Sequence, residues 1–115
     1  MHKDSGMVYP VYLGCYGETP DHTAIPLLKI YGANMQFQEC FNDMLDLGCP
    51  IFTFVTEDIG IGANVNKCYA AQTLDTYAQY GPSTECSKGK PNWPPGGIIA
   101  NEVYQIKGNL SGNCQ

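Results

Sequence analysis

The sequence contains no arginine, and only 15% of its 115 residues are charged. Six lysines scattered along the chain do not make the basic patch that duplex nucleic acid requires, and the formal net charge is -5. No run of eighteen or more apolar residues occurs, which excludes a membrane-spanning helix. Thirteen glycines and eight prolines exclude a heptad coiled coil. The 43% share of hydrophobic residues indicates one compact domain rather than a disordered chain.

Six cysteines are the most informative residues, because their number is even and their spacing is wide. No C-x-x-C motif occurs, and only His2 and His22 could complement thiolate ligands, so the spacing is not that of a structural zinc site. A cytosolic chain of this size rarely carries six free thiols. We therefore expect no metal, no cofactor and three disulfides in an exported protein, formed among Cys15, Cys40, Cys49, Cys68, Cys86 and Cys114.

The N-terminal residues carry no mark of export, since residues 1–6 are polar and lack the apolar stretch of a signal peptide. We expect the chain to be a mature form or a fragment, or to use an export route that leaves no mark here. The tripeptide Asn109-Leu110-Ser111 is a glycosylation sequon, which fits an exposed extracellular segment. The expected location is therefore extracellular, either secreted or at the cell surface, with a glycan on Asn109.

Apolar residues recur every three to four positions in the middle of the chain, which predicts one helix over residues 35–47. Asn34 is the expected N-cap, accepting from the first free N–H groups. Gly48 stands where a left-handed C-terminus favours glycine, and Pro50 follows it. Because the apolar face carries a cysteine, we expect the helix to be bonded to the surface it covers. That face consists of Phe37, Cys40, Phe41, Met44 and Leu45.

Short segments rich in β-branched and aromatic residues predict strands over residues 8–16, 51–56, 65–70 and 98–107, with a possible strand over 27–31. Pro10 cannot donate to a ladder, which indicates an edge strand or a strand start. Residues 57–64 are predicted to be a turn and residues 81–97 a loop. Residues 71–80 fit either a loop or a short helix carrying Leu74 and Tyr77.

These elements predict an α+β fold, a small disulfide-rich domain in which the one helix packs on a twisted antiparallel sheet. We expect residues 8–107 to form that domain. Residues 1–7 are expected to be a loose N-terminal segment, and residues 108–115 a tail pinned by Cys114.

No arrangement of residues in the sequence indicates catalysis. A Cys–His nucleophile pair needs a free thiolate, and with all six cysteines paired His22 is expected to be a surface residue. Glu57 and Asp58, with Asn64 and Asn66 nearby, are ligand types that suit calcium, but their spacing matches no EF-hand loop and favours solvated turn carboxylates. We therefore expect a protein that is not an enzyme.

Eight tyrosines and one tryptophan exceed what one small core needs, although half or more of these rings are expected to pack that core. Tyrosine and tryptophan offer flat apolar faces with a polar tip, which suits sugar rings and protein interfaces. The 81–97 loop contains the tryptophan, and we expect a binding surface there, near the predicted 57–64 turn. Its expected residues are Trp93, Tyr80, Asn92, Glu57 and Asp58.

Five short motifs over residues 12–106 resemble, in order and approximate spacing, those of WSC domains. They are Tyr12-Leu13-Gly14-Cys15-Tyr16, Asn34-Met35 followed by Glu39-Cys40, Cys68-Tyr69, Glu85-Cys86-Ser87 with Gly89, and Gly96-Gly97 followed by Val103-Tyr104-Gln105. The family typically has eight cysteines, whereas Met44, Ala70 and Pro95 occupy places where this family has them. The related PAN/apple-like folds, whose helix is also bridged to a central sheet, fit the pattern as well.

The resemblance implies a disulfide pairing, because cysteines tend to be lost in bonded pairs. Met44 and Ala70 would mark one lost bridge that ran beside Cys40–Cys68. The same parity implies Cys15–Cys86 and an extra pair, Cys49–Cys114. A PAN-like arrangement would join Cys15 to Cys114 instead.

The WSC resemblance also implies a secreted, non-catalytic recognition module for polysaccharide or glycoprotein. One alternative is a structural subunit of an extracellular filament or matrix, a homopolymer in which the 7–13 segment (MVYPVYL) adds to a neighbour's sheet edge. A further alternative is a protein-binding module of the PAN type. None of the three implies a nucleic-acid partner or membrane insertion.

Overall fold

A computed structural model describes residues 7–19, 21, 23–32, 34–58, 64–88, 99–110 and 112–114. In chain order the elements are β1 (Tyr9–Glu18), β2 (Leu27–Gly32), α1 (Phe37–Leu47), β3 (Ile51–Asp58), β4 (Asn64–Ala71), the short 3-10 helix η1 (Glu85–Lys88) and β5 (Ile99–Lys107). The strands form one antiparallel sheet in the order β1-β5-β3-β4-β2, and α1 packs on it. The predicted small α+β disulfide-rich fold is confirmed.

Helix α1 begins two residues later than predicted, because Gln36 and not Asn34 is its N-cap. The Gln36 backbone is extended, with φ -99° and ψ 156°. Its N–H donates to the Glu39 carboxylate at 2.7 Å, which is half of a capping box. Asparagine is the commoner N-cap residue, which is why the sequence predicts Asn34. The hydrogen bond to Glu39 places the N-cap at Gln36 instead.

The end of α1 lies where the sequence predicts it. Gly48 has φ 78°, and its N–H donates to the Met44 carbonyl at 2.8 Å. A Cβ at Gly48 would also collide with the backbone of Gly112, so glycine is needed for space as well as for conformation. Cys114 donates its N–H to the Leu47 carbonyl at 2.7 Å, which holds the C-terminal residues against the end of the helix.

The predicted apolar face of α1 covers one face of the sheet. Cys40, Phe41 and Met44 are buried, which confirms the periodicity on which the helix was predicted. Phe52 lies at the centre of this layer with no exposed surface, and its ring contacts Phe41 at a centroid distance of 6.3 Å. Burying a phenylalanine stabilises the fold by roughly 1.5–3 kcal/mol, so this layer carries a large part of the stability.

Loops, rather than a second helix, cover the opposite face of the sheet. Ala24 and Ile25 lie over it, and segment 76–80 braces them: the Thr76 hydroxyl donates to the Ala24 carbonyl at 2.9 Å. Glu18, at the end of β1, is fully buried there and accepts N–H groups of this loop. The apolar cluster of this layer consists of Ala24, Ile25, Ile51, Val55, Tyr69, Ala71 and Val103.

All six cysteines are paired. The bridges Cys15–Cys86, Cys40–Cys68 and Cys49–Cys114 are those that the WSC resemblance implies, and the PAN-like pair Cys15–Cys114 is not formed. They join β1 to η1, α1 to β4, and the connection between α1 and β3 to the C-terminal segment. Cys40 therefore bonds the helix to the sheet that it covers, and Cys114 pins the tail, as predicted.

The β3–β4 hairpin is longer than predicted, and the predicted turn over 57–64 is wrong at both ends. Glu57 and Asp58 belong to β3, where they pair with Val65 and Asn64 of β4. The two strands continue their ladder because consecutive backbone groups keep pairing whatever the charge of the side chains. Residues 59–63, between the strands, lie outside the described residues.

Residue 71 ends β4, and residues 72–80 form bends and a turn, not the short helix that was the other possibility for Leu74 and Tyr77. The turn closes with the Gln79 N–H donating to the Thr76 carbonyl at 3.2 Å. Gly81 follows with φ 79°. The predicted 81–97 loop contains η1 in its first part, and residues 89–98 lie outside the described part of the chain.

Strand β1 is an edge strand, as Pro10 indicates, and runs two residues further than predicted. Its register with β5 shifts between Tyr12 and Gly14, so Leu13 is the extra residue of a β-bulge. Gly14 has φ 133°, a conformation that favours glycine.

Candidate functional site

The structure describes the surroundings of only one of the residues predicted to bind a ligand. Trp93 and Asn92 lie outside the described residues, and so do the side chains of Glu57 and Asp58, whose backbone belongs to β3. Tyr80 is 46% exposed. The surface predicted around the 81–97 loop therefore stays a prediction.

Tyr80 belongs to a hydrogen-bonded contact between two loops. Its hydroxyl is hydrogen-bonded to the Thr23 hydroxyl, and Gln79 donates its side-chain amide to the Thr23 carbonyl at 2.8 Å. The Thr19 hydroxyl donates to the Asp21 carboxylate at 2.7 Å. Because these polar groups are used within the protein, this corner offers a ligand the ring of Tyr80 more than its hydroxyl.

A second aromatic group lies on the helix side of the sheet, where β1 and β5 pair. Tyr12 is directly opposite Tyr104, and their ring centroids are 5.3 Å apart. Tyr104 also contacts Phe37 at 4.9 Å and stacks on Phe52 at 5.4 Å. Since Tyr12 is 52% exposed and Phe52 fully buried, the aromatic stack of the core reaches the surface at this point.

Glu102 places a carboxylate beside the two tyrosines. It lies two residues before Tyr104 on β5, and alternate residues of a strand share a face. On that face the Glu102 charge acts on the phenols of both Tyr12 and Tyr104. Burial first, and then the charge of Glu102, raise the pKa of Tyr12 and of Tyr104 above the usual 10.0. Both phenols therefore stay protonated near neutral pH.

We name Tyr12, Tyr104, Glu102 and Phe37 the tyrosine surface. Its rings provide faces for stacking, and its carboxylate provides hydrogen-bond acceptors. Aromatic faces beside a carboxylate are groups that can contact a ligand by stacking and by hydrogen bonds.

No family model, no curated protein and no solved structure matches the chain. The WSC resemblance therefore stays an expectation from the sequence. Among the described residues, no helix has the length and apolar character needed to cross a bilayer. Nor do any three His, Cys, Asp or Glu side chains in those residues stand close enough together to hold a metal ion.

Sequence reasoning did not single out the tyrosine surface. The available signal is Glu102-x-Tyr104, two residues that share one face of a predicted strand. Their partner Tyr12 comes from the other end of the chain, and the register that brings it there includes the bulge at Leu13. The pattern within each strand does not specify that register.

The outer edge of β1 differs between its two halves. The second half is covered, because the Ser83 N–H donates to the Cys15 carbonyl at 2.9 Å and the Gly17 N–H donates to the Gly81 carbonyl at 2.8 Å. In the first half, no residue that the structure describes pairs with the outer edge. Three of the five exposed large apolar side chains in the described residues lie there: Met7, Tyr9 and Tyr12.

Pro10 limits what the open half of this edge can bind. The Ile106 N–H donates to the Pro50 carbonyl at 2.9 Å, on the side away from β1. Pro10 is opposite Ile106, so its own backbone groups point to the open side. Proline has no N–H, which explains why it is tolerated here and removes a donor that an added strand would need.

Proposed function

We propose that this protein is an exported, non-catalytic recognition module that binds carbohydrate, free or on a glycoprotein, through the tyrosine surface. The observation that carries the proposal is the half-exposed ring of Tyr12, which extends an aromatic stack into solvent beside the Glu102 carboxylate. A pyranose can stack its apolar face on a tyrosine while its hydroxyls donate to a carboxylate. Both kinds of contact are present around one cross-strand pair.

The scaffold around the tyrosine surface supports a binding role. Tyr104 contacts both the Phe37 and the Phe52 ring, so its position is set before any ligand arrives. Cys15, opposite Glu102 in the register, bonds β1 to η1. A site built on strands and braced by a disulfide loses little conformational entropy when it binds.

The disulfides and Asn109 support export. Three bridges in one small domain are typical of proteins that fold in oxidising compartments. Asn109 is exposed directly after β5, where a glycosylation machinery can reach it. We expect protein secreted from a eukaryotic host to carry a glycan, seen by mass spectrometry, that Asn109→Gln removes. A wild-type protein of unmodified mass would contradict this part of the proposal.

A glycan array, followed by titration of the best-bound glycan, tests the tyrosine surface. We expect Tyr12→Ala to weaken binding by about 2 kcal/mol, the loss typical of an aromatic anchor, with little change in thermal unfolding. Tyr9→Ala is the matched control, because Tyr9 is 50% exposed on the same strand but lies on the opposite face. Equal losses for the two variants, or no bound glycan at all, would contradict the proposal.

The same titration also tests the surface predicted around the 81–97 loop. If that loop carries the ligand, Trp93→Ala weakens binding by about 2 kcal/mol while Tyr12→Ala does not. If Trp93 instead packs on the domain, the variant unfolds at lower temperature and keeps its affinity per folded molecule. The pair of variants therefore locates the ligand on one surface or the other.

A second candidate, the structural subunit of a filament, is favoured by one observation, the open and uncharged first half of the β1 edge. Negative-stain micrographs of purified protein test it directly. If the edge carries assembly, the wild type forms polymers and Pro10→Val forms more of them, because valine restores the missing N–H donor. Monomers for both proteins would remove this candidate and leave the recognition module.

A further inference from the structure

We infer that the tyrosine surface prefers glycans bearing free amines and rejects sulfated or carboxylated ones. This inference rests on the proposed function and names its ligand class. Its basis is the juxtaposition of two tyrosine faces, Tyr12 and Tyr104, with the carboxylate of Glu102, on a strand pair that places no cation beside them.

On this face of the paired strands β1 and β5, the described side chains give a negative local charge. Strand β1 contains no lysine, and the one lysine of β5, Lys107, is paired with Tyr9 and so faces the other side of the sheet. In the described residues, the groups on which the Glu102 charge acts are the phenols of Tyr12 and Tyr104. With a formal net charge of -5 for the whole chain, a polyanionic glycan is repelled both locally and at long range.

The tyrosine rings add to this preference. An aromatic face is electron-rich and attracts a cation placed over it, and a carboxylate at its rim strengthens that attraction. Tyr12 is exposed enough for its ring to be covered by a ligand, and the Tyr104 ring lies 5.3 Å away at a tilt of 56°. An ammonium group near this pair therefore gains from both the rings and Glu102.

A neutral sugar gains less from the same carboxylate. A sugar hydroxyl offers the Glu102 carboxylate one neutral donor. An ammonium supplies three donors and a full charge, and charge-assisted hydrogen bonds are about twice as strong as neutral ones. The Glu102 carboxylate therefore distinguishes an amine-bearing sugar from a neutral one by charge, whereas both sugars can stack on Tyr12.

Calorimetric titration with three probes tests the inference. They are a β-1,4-linked glucosamine oligomer in mildly acidic buffer that keeps its amines protonated, its fully N-acetylated counterpart of equal length, and heparin oligosaccharide. We expect the wild type to bind the amine-bearing oligomer about tenfold more tightly than the acetylated one, and heparin not at all. Glu102→Gln should reduce this preference to within about threefold by weakening only the amine-bearing ligand.

Asp46→Asn is the control for net charge, since it removes one carboxylate from the exposed side of α1 and should keep the preference. Equal binding of the two oligomers, or a preference that survives Glu102→Gln, overturns the inference and leaves the proposed function standing. Binding of neither oligomer, with no effect of Tyr12→Ala on any glycan, defeats the proposed function itself. Oligolysine bound as tightly as the glucosamine oligomer, with the same loss in Glu102→Gln, would make the site a general cation site and overturn the assignment to glycans.

Discussion

The helix-covered face and the loop-covered face of the sheet are both closed to water, yet only the second contains buried polar side chains. In the described residues these are Glu18, Thr53 and Asn101. The difference follows from the backbone that lies over each face. A helix satisfies its own N–H groups, whereas a loop laid on a sheet brings N–H groups that need acceptors from below.

Glu18 is the acceptor that makes the loop cover possible. Its two carboxylate oxygens accept the N–H groups of Thr19, Ala24 and Ile25 at 2.8, 3.0 and 2.9 Å. The Asn101 amide donates to the same carboxylate at 3.2 Å, while its own oxygen finds no hydrogen-bond partner among the described residues. A sheet face covered by a helix thus needs apolar side chains of the right volume. A sheet face covered by a loop also needs polar atoms in the right places.

Removing volume from the helix-covered face should have the largest effect. Phe41→Ala is expected to lower the free energy of unfolding by about 3–5 kcal/mol, because a buried aromatic ring at the centre of the α1 face is lost. Denaturant melts measure the change. A loss below about 1 kcal/mol would mean that α1 contributes little packing, and the contrast between the faces would disappear.

Removing the acceptor from the loop-covered face should be the next largest effect and the more local one. Glu18→Ala leaves buried N–H groups unpaired, each worth about 1–3 kcal/mol, and we expect a total loss of about 3 kcal/mol. Hydrogen exchange at Ala24 and Ile25 should accelerate more than at Cys68 in the centre of β4. Uniform acceleration at all three amides would show that the loop cover does not open on its own.

A smaller effect should follow from a hydroxyl that ties the two loop segments together. Thr76→Val keeps the volume of the side chain and removes the hydrogen bond from the Thr76 hydroxyl to the Ala24 carbonyl. We expect a loss of about 1 kcal/mol in the free energy of unfolding, the usual net value of one such bond. An unchanged stability would mean that Ala24 finds another donor, and that Glu18 carries the loop without this brace.

The smallest effect concerns the margin of the helix-covered face, where it opens at the tyrosine surface. Burial and the Glu102 charge raise the pKa of Tyr12 and Tyr104 above 10.0, so folding favours the protonated phenols. Their contribution to stability is complete below pH 10 and declines as the pH rises through the raised values. Ultraviolet absorbance titration should show late ionisation of these phenols, and Glu102→Gln should lower their pKa. An identical titration in that variant would place Glu102 away from the two rings.

The helix-covered layer was accessible to sequence reasoning, and the loop-covered layer was not. The spacing of Cys40, Phe41 and Met44 predicts a buried helical face because helical periodicity is local. Glu18 looks like an ordinary acidic residue at the start of a loop, and its burial depends on Ala24 and Ile25 folding back over it. Pairing across long sequence distances also decided the tyrosine surface, so the candidate site was found only in three dimensions.

The extra residue at Leu13 has a consequence for the whole of β1. Tyr12 and Glu18 are an even number of residues apart, so an uninterrupted strand would present both side chains on the same side. The bulge shifts the alternation by one residue, which turns Tyr12 toward α1 and Glu18 toward the loops. The exposed ring of Tyr12 and the buried carboxylate of Glu18 therefore point to opposite faces of the sheet from a single strand. Deleting one residue between them would turn both side chains to the same face of the sheet. Either the Tyr12 ring would then leave the tyrosine surface, or the Glu18 carboxylate would leave its buried position.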